Sequence, residues 1–166
     1  MRTGLAFLVS VILAVVFSST GNAQCKGSVV GTWKLVSVTS KTDKGDMDKA
    51  VLGQNPSGLL TYTADGRMMA IISDDGRKPL SIADRVAAPA EERAQAYSTF
   101  MAYAGQYTFT CDKVVTHVEV ASLQNWVNSD QTRFVTVEGD RMFVRNTPML
   151  RAGVMVNIES VWERLK

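Results

Sequence analysis

The sequence predicts an all-β chain: a closed antiparallel barrel of about eight strands with one inserted α-helix. Two observations lead there. Segments with strand patterning recur along the chain between short turns, and only one stretch carries helical spacing. Antiparallel strands in so short a chain are best closed on themselves, because closure removes the unpaired edges to which other chains would add. A barrel of this size is also wide enough to hold one small ligand.

The first strand is "GTWKLVSV" (31–38), with Trp33, Leu35 and Ser37 on one face and Lys34, Val36 and Val38 on the other. A polar connection rich in Gly, Asp and Lys (39–57) leads to "GLLTYT" (58–63) and "RMMAII" (67–72). Asp65-Gly66 between them is a strong hairpin signal. A second polar connection (73–88) precedes the helix, whose first turn can hold Pro89 and whose positive end suits Glu91 and Glu92. Ala90, Ala94, Tyr97, Met101 and Ala104 recur at helical spacing as an apolar face, and Gly105 is expected to stop the helix. The rest reads as a meander: "GQYTFTC" (105–111), "VVTHVEVA" (114–121), "TRFVTVE" (132–138), "RMFVR" (141–145) and "VMVNIESVWERL" (154–165). Turns at Asp112-Lys113 and Gly139-Asp140 and a loop holding Trp126 connect them.

Residues 1–23 read as a cleaved export signal. Arg2 precedes a continuous apolar run (4–17), and Gly21 and Ala23 sit at the spacing a signal peptidase reads. The run is shorter than the roughly 20 residues that span a bilayer, which disfavours a permanent anchor, although an uncleaved tether is the competing reading. Lipid attachment at Cys25 is rejected because Gln24, and not a small residue, precedes it. The mature chain (24–166) is then one domain in the periplasm or outside the cell, with no membrane span. Two cysteines remain in it, Cys25 and Cys111, and in an oxidising compartment they are expected to pair, the alternative being two separate thiols.

Composition excludes several functions. Lys and Arg number 18 against 16 Asp and Glu, with no basic block or stripe, so nucleic-acid binding has no electrostatic footprint. A single histidine gives no basis for a metal site. No serine stands in a strand–turn–helix elbow and the glycines are scattered, so neither a nucleophile nor a phosphate cradle is expected. No cofactor and no catalytic residue is assigned. The constellation with most chemistry is His117 and Glu119 on one face of a strand with Arg133 on the next. Alternation allows these three to face water while the valines face the core, or to form a polar floor under an apolar pocket, with their pairing offsetting the cost of buried charge. Tyr62 and Tyr103 are candidate pocket-lining residues with polar tips. Trp126 is a candidate ligand contact or an anchor on the rim. Met68, Met69, Met142 and Met155 would give an adaptable lining.

In order along the chain, "GTWKLVSV", "NPSGLLTYTADGRM", "AYAGQYTF", "VTHVEVASLQNWVNSDQTRF", "GDRM" and the terminal "VWERL" resemble the bacterial lipocalin-like domain family over nearly the whole mature chain. The resemblance implies a closed antiparallel barrel with a pocket for a small apolar molecule, and it casts Trp33 as a plug closing one end. Many members carry two adjacent histidines where this chain has His117-Val118, so no role needing the pair is implied here. The expected function is binding of a small apolar or amphipathic molecule. The alternatives are an isomerase or cyclase in which His117 or Glu119 moves a proton, and a filled barrel without a ligand.

Overall fold

A computed structural model of the chain describes residues 25–166 except 26, 43, 46, 49–50 and 152. The expected export signal lies outside the described residues. Ten strands, one α-helix and one 3₁₀ turn follow in order: β1 (Gly31–Thr42), β2 (Met47–Asp48), β3 (Ser57–Tyr62), β4 (Arg67–Ser73), α1 (Ala90–Ser98), β5 (Phe100–Phe109), β6 (Lys113–Ala121), the turn Gln124–Trp126, β7 (Asp130–Glu138), β8 (Arg141–Asn146), β9 (Met149–Arg151) and β10 (Val154–Arg164). The sheet runs β2-β1-β3-β4-β5-β6-β7-β8-β10-β9, and pairing of β1 with β10 closes it. Eight antiparallel strands thus form the barrel, with the short strands β2 and β9 added beside β1 and β10 at one end.

The two ends differ. At one, tight turns join β3 to β4, β5 to β6 and β7 to β8, and the segment ahead of β1 meets the end of β10. At the other lie the long connections, which carry α1, the 3₁₀ turn and β9. The first end is closed by Trp33, which is fully buried and donates from Nε1 to the Val29 carbonyl at 2.7 Å. The guanidinium of Arg164 stacks on the Trp33 ring at 4.0 Å from its centroid and donates to the carbonyls of Ser28 and Val30. Gly31, at φ 133°, lets this happen: a Cβ there would stand 2.6 Å from the Arg164 Nη1. A disulfide between Cys25 and Cys111 ties the N-terminal segment to the β5–β6 turn at the same end. Cys111 occupies this turn at φ 58°, a conformation more usual for Gly or Asn.

Inward-facing alternate residues make the core, among them Leu35, Leu60, Tyr62, Met68, Val114, Val118, Val135, Met142 and Trp162. The expected methionine lining is corrected: Met68 and Met142 are packed into the core, Met69 and Met155 are exposed, and none of the four lines the cavity inside the barrel. Two irregularities shift the alternation. The register of β1 against β10 slips between Leu35 and Ser37, which brings Val38 inward in place of the expected Ser37. The second, between Ala104 and Gly105 of β5, sets Ala104 opposite Val120 and Gly105 opposite Val118. Val120 is thereby turned outward, away from the core that holds Thr116 and Val118.

The helix is shorter than expected. It ends at Ser98, and Met101, Ala104 and Gly105 belong to β5, where Met101 pairs with Ile72 and Tyr103 with Ala70. Ladder bonds to β4 on one side and β6 on the other outweigh helical spacing in a stretch compatible with both. Nor does α1 bury an apolar face: none of its residues is buried. It is held by polar contacts instead. Glu92 accepts from the Ser81 amide and hydroxyl at 2.9 and 3.0 Å, and Arg77 donates to the Ala96 carbonyl and the Thr99 hydroxyl. The Ser81 donors hold the Glu92 carboxyl below its ordinary range. No helix among the described residues is long and apolar enough to cross a membrane.

Candidate functional site

Inside the barrel, toward the end with the long connections, lies a cavity of about 290 Å³. Its wall is mainly apolar: Val38, Leu60, Ala70, Ile72, Val144 and Ile158 project from the strands, with Trp162 beside them. Leu52 of the β1–β3 connection, Ser98 and Thr99 at the end of α1, Phe100 at the start of β5, Trp126 of the 3₁₀ turn, and Met149 and Arg151 of β9 surround it at the open end. The space is at the lower limit of roughly 300 Å³ for small-molecule sites, and a few polar groups among apolar walls is the composition such sites have. Two further depressions of about 360 and 510 Å³ share Phe134, Arg145 and Glu159 of the opposite alternation in their lining.

Four of the six residues expected to contact a ligand line this cavity: Tyr62, Tyr103, Trp126 and Arg133. Tyr62 reaches in from β3 and Tyr103 from β5, both buried. The Tyr103 ring meets the Trp126 ring edge to face at 5.3 Å, and Tyr62 meets Tyr107 likewise at 4.8 Å. Trp126 thus serves as rim anchor and cavity wall together. Burial pushes the Tyr62 phenol far above its ordinary range, Tyr103 and Tyr107 add to this, and the Arg133 charge opposes it. Arg133 is only 7 % exposed. Its guanidinium lies over Tyr103 at 5.8 Å and over Trp126 at 5.6 Å, and Nη1 donates to the Thr132 carbonyl at 2.9 Å.

His117 and Glu119 are elsewhere, and the expected inward triad is corrected to Arg133 alone. The register explains the split: Arg133 pairs with Val114, so it shares the inward phase of Val114, Thr116 and Val118, whereas His117 pairs with Asp130 on the outward phase. On the outer wall His117 Nδ1 lies 2.9 Å from Asp130 Oδ1, with the side chains 56 and 64 % exposed. Glu119 pairs with Arg67 at 2.6 Å, also in the open. Both pairs are solvated surface interactions, of the kind that contribute little to stability.

Several lining residues escaped sequence reading. Met101 was assigned to a helix face, and Leu52, Met149 and Arg151 stand in connections without periodicity. Ser160 and Trp162, by contrast, follow from the alternation of "VNIESVW" once Val156 is taken as inward.

The family model for the lipocalin-like domain matches residues 30–165. This chain belongs to the lipocalin-like domain family. None of the curated protein sequences matches it. Among solved structures, a lipocalin-like protein from Bacteroides uniformis is similar at 13% identity and a TM-score of 0.43, covering 84% of this chain and 100% of that one. The structure of EF1p2_mFAP2b bound to DFHBI is similar at 13% identity and a TM-score of 0.36, covering 82% of this chain and 93% of that one.

Proposed function

We propose that this protein is exported and that it holds a small apolar or amphipathic molecule inside the barrel. The observation that carries the reading is the cavity itself. A filled barrel would close the space between Leu60, Ala70, Val144 and Ile158 with side chains, as protein interiors ordinarily do. Here about 290 Å³ is left open beside an aromatic pair and a buried arginine. Affinity would come chiefly from apolar burial, and Tyr62, Tyr103, Trp126 and Arg133 would fix orientation. Export is supported by the Cys25–Cys111 disulfide, a bond that persists in oxidising compartments, and by the apolar run (4–17) ahead of it. The isomerase or cyclase alternative relied on His117 or Glu119 as proton carrier, and both side chains are exposed on the outer wall.

Native mass spectrometry of the protein purified from its own host, followed by solvent extraction, is the direct test. The expected result is a discrete adduct that leaves on denaturation and is recovered unaltered. Ligand-free protein that also takes up no added small molecule would overturn the reading.

A further inference from the structure

The cavity holds a buried cation without a counter-ion. Among the described residues no Asp or Glu lies within ion-pair distance of Arg133, and its one hydrogen bond goes to the neighbouring backbone carbonyl of Thr132. A guanidinium has five donors in a planar fork. A carboxylate or a phosphate satisfies such a fork in bidentate fashion. The rings of Tyr103 and Trp126 offset part of the cost of burying the charge but accept none of these donors as an oxyanion would. Tyr62 and Tyr103 line the same space, and neither hydroxyl has a hydrogen-bond partner among the described residues, so each is left accessible. A cation and two phenol donors therefore line a chamber whose strand walls are mainly apolar.

Taking the barrel to be a small-molecule site, as proposed above, we infer that its occupant is an amphipathic monocarboxylate, with the carboxylate on Arg133, the Tyr62 and Tyr103 hydroxyls within the same polar corner, and an apolar body against Leu60, Ala70 and Val144. The charge count selects a monoanion: a phosphate dianion would bring a second negative charge into a cavity whose other arginine, Arg151, is exposed and engaged with the Val51 carbonyl. The volume, about 290 Å³, corresponds to roughly ten water molecules at liquid density and suits a body of about a dozen heavy atoms.

Isothermal titration calorimetry at pH 7 with two matched pairs, 4-phenylbutyrate against 4-phenylbutanamide and decanoate against decanamide, tests this. The wild-type protein is expected to bind at least one acid about tenfold or more tighter than its amide. Arg133→Met should bring the acid down to the level of the amide while leaving the amide within about threefold. An amide equal to or tighter than its acid in both pairs overturns the carboxylate assignment and leaves small-molecule binding intact. No binding by any of the four overturns the proposed function as well. The wild-type comparison decides the matter even if Arg133→Met does not fold. A merely architectural arginine would lower stability on substitution without separating acid from amide.

Discussion

Trp33 and Arg133 show how differently two large inward side chains are used in one barrel. Trp33 has its polar atom satisfied by Val29 and its ring covered by Arg164, so it seals and does not recognise. Its replacement by alanine should cost about 3–5 kcal/mol, because the site is walled by strands that cannot collapse into the space. Urea unfolding of Trp33→Ala measures this, and a near-neutral value would show that the ring does not close the barrel. Arg133 is also buried, but it lines the cavity, and only its Nη1 is bonded, to the Thr132 carbonyl. Trp33 was legible from "GTWKL" and the family resemblance. The face of Arg133 was also legible, because Val135 and Val137 share its phase in "TRFVTVE", but grouping it with His117 and Glu119 by charge obscured this, and pairing with Val114 decides it.

At the scale of elements, strand existence was legible in eight segments, and the misreadings sit where alternation is broken. The irregularity in β1 leaves no compositional mark, so Ser37 and Val38 exchange faces unannounced, whereas the one that turns Val120 outward is marked only by a glycine that also reads as a helix stop. The stretch "FMAYA" suits helix and strand alike, and its fate depends on β4 and β6, far away in sequence. Gly105 is the clearest case. It was taken as a helix stop, yet it stands in β5 where a Cβ would lie 1.9 Å from the His117 carbonyl oxygen. The glycine permits the close approach of β5 and β6 at the bulge. Gly105→Ala should therefore destabilise by about 1–3 kcal/mol or more through forced separation of these strands. Thermal unfolding checks the loss, and faster hydrogen exchange concentrated in β5 and β6 should accompany it. An unchanged melting temperature would mean that the strands part there without strain.

For the whole molecule, the barrel closes through β1 and β10, whose residues are far apart in sequence, while the disulfide spans 86 residues and pins the stretch ahead of β1. In the chain-entropy view such a crosslink stabilises by about 4 kcal/mol, by restricting the unfolded ensemble. Cys25→Ser with Cys111→Ser should lower the unfolding free energy by about that amount, and reductant added to the wild type should reproduce the loss. Equal denaturation midpoints with and without reductant would show that Val29 and Trp33 already hold this segment unaided. The crosslink also gives the molecule an orientation. Cys25 stands at the sealed end, at the pole opposite the mouth. The seal and the mouth are thus opposite poles of one barrel, and the crosslink reinforces only the pole that stays shut.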